Sequence, residues 1–430
     1  VLAFIAIVFG ILLVIGLPIA FVMGLTTLFS FIYIGDPSLY NLIPQRMYSG
    51  MSNFVLVAIP FFLLTGEVMT QAGITRDLVR FSNLLVGRFR GGLAHINVAS
   101  NVLLAGISGS AASDAASIGS VLIPAMKEEG YDLDFSAAVT ASAAVIGPII
   151  PPSIIMIIYA SLMDVSVAGL FLAGYAPGIT MALGLMALSY FISKRKGYPV
   201  HSERITRREL IESFKGASLP LLLPLIIILG ILSGAFTPTE ASVVAAAYAF
   251  FLGLAVKRTL TLRDIPGILT RTLKASSLIL FVIGTGIAFG WILTFEQIPQ
   301  KLAALLLAFA GNNLYATLFI ILVILFIAGM FLDTAVAIVV LGPLLGATAA
   351  QVGIHPLHFA MIMCLSLTVG LITPPMGLVL FVVCGITNLT FERLCWRLVP
   401  FIIVECLVIL IITYVPAFTM TIPKIFGFYP

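Results

Sequence analysis

Apolar runs close to the 20 residues that span a bilayer recur along nearly the whole chain, and this recurrence restricts the fold more than any other feature. In hydrocarbon the backbone must satisfy its own hydrogen bonds, which leaves only helices and closed β-barrels. A barrel needs short alternating segments, and the runs at 219–231 and 316–326 show no alternation. With 61% hydrophobic and only 9% charged residues, the expected fold is an all-α polytopic membrane protein. The chain opens in apolar sequence without a charged leader or small-residue cleavage site, so no cleavable signal peptide is expected.

Positive charges orient such a chain, because loops rich in Lys and Arg stay in the cytoplasm. They cluster in 73–92 (Arg76, Arg80, Arg88, Arg90), in 194–216 (Lys194, Arg195, Lys196, Arg204, Arg207, Arg208, Lys215) and in 257–274 (Lys257, Arg258, Arg263, Arg271, Lys274). Lys127, Arg393 and Arg397 join that side, leaving Arg46, Lys301 and Lys424 for the other. The net charge of +4 therefore reads as membrane orientation rather than nucleic-acid binding. About 40 residues between the second and third clusters suffice for two spans that turn at SGAFTPTEAS, 233–242. The segment 93–124 lies between two cytoplasmic loops and must enter and return as a hairpin. Full spans are expected at 1–16, 18–34, 51–70, 135–160, 169–193, 218–236, 239–256, 275–295, 359–384 and 397–416, with a second hairpin at about 314–348.

An internal repeat emerges from the prolines. A shift of 223 residues places Gly147, Pro151, Pro152 and Pro177 on Gly370, Pro374, Pro375 and Pro400, and a shift of 219 places Asp114 and Pro124 on Asp333 and Pro343. The chain thus divides into repeats 1–215 and 216–430, each with a hairpin and a broken helix (93–124 and 135–160; 314–348 and 359–384). Five crossings per repeat make the halves inverted, which is the architecture of secondary transporters that bind substrate and ions near the midplane.

Proline lacks a backbone N–H and clashes with the preceding turn, so Pro151–Pro152 and Pro374–Pro375 release backbone carbonyls from helix bonding. At membrane depth freed carbonyls are tolerated where they bind something or line a cavity. A cation such as Na⁺ suits them, and helix N-termini at the same breaks suit an anionic substrate. The stretch GISGSAASDAASIGS at 106–120 adds small residues for close packing and hydroxyls as ligands. Asp114 and Asp333 are carboxylates at membrane depth and read as functional, while Glu67 and Glu405 read as structural partners. Cys364, Cys384, Cys395, Cys406, His355 and His358 lack metal-ligand spacing and read as packing and loop residues; no transition metal is expected. Gly106-Ile-Ser-Gly109 also matches the G-x-S-G pattern of rhomboid-type intramembrane serine proteases, but none of His95, His201, His355 and His358 sits in a companion motif. A passive channel or uniporter is the stronger rival to a transporter, although pores seldom need paired hairpins and discontinuous helices.

At these residues the sequence resembles, essentially end to end, the large DctM-like membrane subunit of tripartite ATP-independent periplasmic (TRAP) transporters. AIPFFLLTGEVM (58–69), SGSAASDAASIGSVLIPAM (108–126), IIPPSIIMIIYA (149–160), GAFTPTEAS (234–242), GMFLDT (329–334) and LITPPMG (371–377) carry the resemblance. It implies an elevator-type transporter of the bacterial inner membrane, driven by Na⁺, for an organic acid such as sialic acid or a C4-dicarboxylate, in which the hairpins and broken helices form the moving domain and the remaining spans the scaffold. A periplasmic binding protein would deliver the substrate. A small four-helix membrane subunit would widen the scaffold; no such sequence precedes Val1, so it would be a separate chain or lie outside this sequence. Carried over by residue, one Na⁺ site uses Ser108, Ser110, Gly147, Ile150 and Pro152, and the second uses Gly329, Asp333, Gly370, Thr373 and Met376. Ser110, Asp114, Pro151, Pro374 and Pro375 are candidates to line the substrate site.

Overall fold

In a computed structural model the chain is described over residues 1–200, 207–311 and 313–428. His201 and Arg204 lie outside the described residues. Within them the chain is helical, with a lone bridge between Arg90 and Val200, and eight helices are long and apolar enough to cross a membrane. Shorter apolar helices supply the rest. Leu2–Val14 and Ile19–Ile34, both shorter than those eight, lie where the two N-terminal spans are expected and turn at Gly16, whose φ of +85° favours glycine.

Two segments are apolar or small on every side and therefore occupy the centre. Leu133–Ala144 and Pro356–Gly370 are buried along almost their whole lengths. Each is followed by a non-helical break and a short second half, Ile154–Met163 and Leu378–Thr387. Both Pro–Pro bonds in these breaks are cis. Around the centre fold the two expected hairpins. The first pairs Gly92–Ser108 with Ala111–Glu128, and the second pairs Leu314–Phe331 with Thr334–Gln351.

The hairpins and breaks interlock crosswise. Ile154–Met163 packs on the returning arm of the second hairpin, and Leu378–Thr387 packs on the returning arm of the first. Gly346 and Gly342 make room for Met163, while Gly119 makes room for Ile386. Adding 223 to Gly119 and Met163 gives Gly342 and Ile386, so one register describes both contacts.

Several boundaries differ from the sequence expectation. The span expected at 275–295 is the helix Ile265–Phe295, and that expected at 397–416 is Phe391–Tyr414. In both, cations taken for loop residues lie within the helix because an acid on a neighbour receives them: Arg271 Nε is 2.5 Å from Glu67, and Arg393 Nε is 2.9 Å from Asp134. The third span begins at Ala58 after a short 3₁₀ turn, Phe54–Val57, where the Asn53 side chain accepts from Val55 N–H at 3.0 Å. The strongly amphipathic Ile74–Val86 precedes the first hairpin, and its Asp77 pairs with Lys257.

Candidate functional site

Each hairpin turns at its tip against one break. In the first, Gly92–Ser108 ends at Gly109, whose φ of +59° is a left-handed conformation suited to glycine. A Cβ there would stand 3.0 Å from the Pro152 carbonyl oxygen, so the tip lies directly on the break. Ser108 Oγ donates to Asp114 Oδ1, and the Ser110 N–H donates to Ser108 Oγ at 3.4 Å. Asp114 is fully buried, and its Oδ2 has no hydrogen-bond partner among the described residues. That oxygen faces Gly147, where an added Cβ would overlap it. Ser108, Asp114 and Gly147 thus form one contiguous group.

The break between them is held by short turns and one capping side chain. Gly147 N–H donates to Ala144 O at 3.1 Å, Ile150 N–H donates to Ile146 O at 3.1 Å, and Ser153 Oγ donates to Pro148 O at 2.6 Å. Ser153 also caps Ile154–Met163, a role that its place after Pro152 signals in the sequence. The carbonyls of Gly147, Ile150 and Pro152 accept no hydrogen bond among the described residues. With the hydroxyls of Ser108 and Ser110 they offer an all-oxygen donor set, which fits a hard cation and not a thiolate-seeking metal.

The second unit is built to the same plan. Gly329 and Gly370 meet backbone to backbone, since a Cβ on Gly370 would come within 2.5 Å of Gly329 Cα and O. Met376 N–H reaches across to Met330 O at 3.3 Å, tying break to hairpin. Asp333 is the N-cap of Thr334–Gln351, its Oδ1 accepting from Ala335 N–H at 2.9 Å. Thr373 turns back on its own helix, with N–H to Gly370 O at 3.0 Å and Oγ1 to Val369 O at 2.9 Å. The carbonyls of Gly329, Thr373 and Met376 accept no hydrogen bond among the described residues, so this unit too carries unbonded backbone oxygens.

The structure corrects one pairing. The 219-residue shift makes Asp333 the counterpart of Asp114, but the helix ends follow 223 throughout: Ala111 and Thr334 begin the returning arms, and Glu128 and Gln351 end them. Asp333 therefore corresponds to Ser110, each the N-cap of its arm, and Asp114 corresponds to Ala337. Pro124 and Pro343 match the shorter shift without occupying equivalent turns.

Of the substrate candidates, Ser110 and Pro374 are partly exposed and Pro375 exposed, whereas Asp114 and Pro151 are buried. Glu67 has the expected structural partner in Arg271. Glu405 does not: it is fully buried, and neither carboxylate oxygen has a hydrogen-bond partner among the described residues. His355 caps Pro356–Gly370, and His358 is bonded to Thr419 Oγ1 at 2.7 Å and the Thr413 carbonyl at 3.1 Å. All four cysteines are free thiols. A protease would need a histidine at Ser108, yet Ser108 bonds Asp114, and His95 lies about 20 Å away along the same helix at 1.5 Å per residue. Also unforeseen is a buried amide cluster, in which Asn97 Nδ2 donates to Thr140 Oγ1 at 2.7 Å and Asn101 Nδ2 to Asn97 O at 2.9 Å. It fastens the first hairpin to the central helix, as hydrogen-bonding side chains do between membrane helices.

Comparison with known proteins gives the family of the chain. The family model described as "Tripartite ATP-independent periplasmic transporter, DctM component" matches residues 6–418. The sialic acid TRAP transporter large permease protein SiaM of Vibrio cholerae is 39% identical over 415 residues, covering 96% of each chain. The C4-dicarboxylate large permease DctM of Pseudomonas aeruginosa is 37% identical over 382 residues, covering 89% of each. The isethionate TRAP permease DctMQ of Oleidesulfovibrio alaskensis is 35% identical over 412 residues, covering 96% of this chain and 65% of its own. Two solved transporters share the fold at low identity. MtrF of Neisseria gonorrhoeae has a TM-score of 0.63 at 14% identity, covering 87% of this chain and 83% of its own; YdaH of Alcanivorax borkumensis has 0.61 at 13%, covering 91% and 88%. The chain is a multi-pass transporter subunit rather than an enzyme, and it belongs to the DctM component family of tripartite ATP-independent periplasmic transporters.

Proposed function

We propose that this protein carries an organic acid into the cell across the bacterial inner membrane by Na⁺-coupled secondary transport. The observation that carries the reading is the pair of hairpin tips laid on two backbone breaks, each break carrying carbonyl oxygens that accept no hydrogen bond among the described residues. One Na⁺ is held by Ser108, Ser110, Gly147, Ile150 and Pro152, and another by Gly329, Asp333, Gly370, Thr373 and Met376. Bound cations fix the tips, and the helix N-termini at Ser110 and Asp333 then present backbone N–H groups to the acid group of the substrate. Asp114 lends negative charge to the first site through Ser108 rather than touching the substrate.

The two halves are inverted repeats. The hairpins and broken helices move together past a scaffold of the remaining spans, and a cation biases the motion only as far as its affinity differs between the two end states. By analogy with its relatives the chain works with a small membrane subunit and a periplasmic binding protein. The names of those relatives span a sugar acid, C4-dicarboxylates and a sulfonate, so the substrate class is an organic anion.

Uptake into proteoliposomes containing this chain and its small subunit tests the reading, with an imposed Na⁺ gradient and labelled organic acids, each offered with and without a binding protein. Uptake that requires both Na⁺ and the binding protein is expected. Flux that follows only the solute's own gradient would replace the transporter with a channel or uniporter.

A further inference from the structure

A cavity of about 440 Å³ opens where the end of Val167–Lys196 meets the starts of Leu133–Ala144 and Phe391–Tyr414. Arg195, Lys196 and Arg397 reach it, Trp396 stands at its rim with 79% of its surface exposed, and Phe401 with its neighbours forms an apolar wall. Two carboxylates only partly balance these cations. Lys196 Nζ lies 3.0 Å from Asp132, and by hydrogen-bonding it holds that carboxyl below its usual range. Asp134 is taken chiefly by Arg393 at 2.9 Å, which leaves Arg397 as the looser partner at 3.5 Å. Arg195 has no acidic partner among the described residues. The cations Arg195, Lys196, Arg393 and Arg397 thus outnumber Asp132 and Asp134.

We propose that this cavity binds the phosphate headgroup of an anionic glycerophospholipid. Arg195 and Arg397 would receive the phosphate oxygens, the indole of Trp396 would sit at headgroup level, and the apolar wall would take the glycerol and first acyl carbons. The repeat supplies an internal contrast. A second cavity, of about 330 Å³, lies at the starts of Leu314–Phe331 and Pro356–Gly370 and the end of Phe391–Tyr414, and His355 and His358 line it. Those positions match Asp132 and Phe135 in the 223-residue register, yet among the described residues no Lys or Arg lines that second cavity. The shared backbone provides the hollow, and only the first copy is furnished with cations. Orientation by positive charge alone needs Lys and Arg near the face, with no requirement that they surround an apolar-walled hollow.

The test measures lipid retained on the full chain by native mass spectrometry after extraction from nanodiscs of phosphatidylethanolamine doped with phosphatidylglycerol or cardiolipin. Anionic lipid is expected to be retained preferentially. Arg195→Gln, which breaks no ion pair among the described residues, should weaken retention about fivefold, the effect of one basic residue near an anionic surface. Arg263→Gln, a cation of the same proposed face outside the cavity, should leave retention unchanged. Equal retention of phosphatidylethanolamine, or an equal loss in Arg263→Gln, would reduce the cavity to a by-product of membrane orientation. Complete displacement of the lipid by millimolar inorganic phosphate would reassign the site to a free anion and overturn the lipid proposal.

Discussion

The two hairpin–break units share one backbone register and differ in what covers them and where they keep their acid. In the first, Ser108, Gly147, Ile150 and Pro152 are all buried, and the carboxylate lies one turn inside the returning arm as Asp114. In the second, Gly329, Gly370 and Thr373 are buried but Asp333, Pro375 and Met376 are exposed, and the carboxylate sits on the cap itself. A charge sealed among side chains costs several kcal/mol or more unless something neutralises it, whereas the carboxylate on the second cap accepts a backbone N–H from Ala335. On the proposed mechanism the second unit can take a cation directly from water, while the first must open or be filled before it closes. On that mechanism, two copies of one scaffold divide capture from enclosure.

Backbone contact in the second unit gives the most destructive way to probe this difference. Gly370→Ala would drive a Cβ into the Gly329 backbone, which has no side chain to swing away. Overpacking of this kind costs about 1–3 kcal/mol, and here it also pries hairpin from break. Na⁺-driven uptake should vanish and the melting temperature should fall. Gly385→Ala, where nothing lies within 4 Å of the added carbon, is the matched control and should behave as the parent. Equal behaviour of the two variants would mean that the Gly329–Gly370 contact is dispensable.

Next in size is the acid at the second cap. Asp333→Ala removes both a charge and an N-cap worth about 1 kcal/mol, and Asp333→Ser removes the charge while keeping a capping oxygen. If the charge is what matters, both variants lose Na⁺-driven uptake and Asp333→Ser keeps the parent's stability. Asp333→Ser also makes the second cap resemble the first, where Ser110 stands. Normal uptake by Asp333→Ser would remove the second cation site as drawn.

Asp114 sharpens the contrast from the other side. Asp114→Asn keeps an acceptor for Ser108 and removes a buried charge whose Oδ2 has no hydrogen-bond partner among the described residues. An unpartnered buried charge is costly, so its removal should not destabilise the fold. The expected variant melts no lower than the parent yet needs more Na⁺ for half-maximal uptake. A lower melting temperature with an unchanged Na⁺ titration would make Asp114 a structural residue.

Much of this arrangement was legible in the sequence because proline and glycine act on the backbone directly. Pro151–Pro152 and Pro374–Pro375 locate both breaks, the first hairpin follows from its ends lying beside like-charged loops, and the second from the repeat. The register of the returning arms was not legible: Asp114 with Pro124 and Asp333 with Pro343 share a spacing, and two residues cannot distinguish an insertion from coincidence. Helix ends were misread at Arg271 and Arg393 because a cation reads as loop until its acid, Glu67 or Asp134, is seen on a neighbouring helix. For the same reason Glu405 read as an acceptor, when the helices packed on it bring no donor within reach among the described residues.

The smallest effect expected is at Ser110, and it tests whether the neutral cap takes part at all. Ser110 occupies the position of Asp333, but its side chain makes no capping hydrogen bond, so a stabilising role through the helix end is already excluded. Ser110→Ala should therefore change stability by less than about 0.5 kcal/mol. What remains for the hydroxyl is to bind the cation, and its loss should raise the Na⁺ concentration for half-maximal uptake without abolishing transport, because Ser108 and three carbonyls stay in place. An unchanged Na⁺ titration would return Ser110 to packing and leave the first site with backbone oxygens and Ser108 alone. The first unit would then depend on Asp114 for its charge still more than the second depends on Asp333.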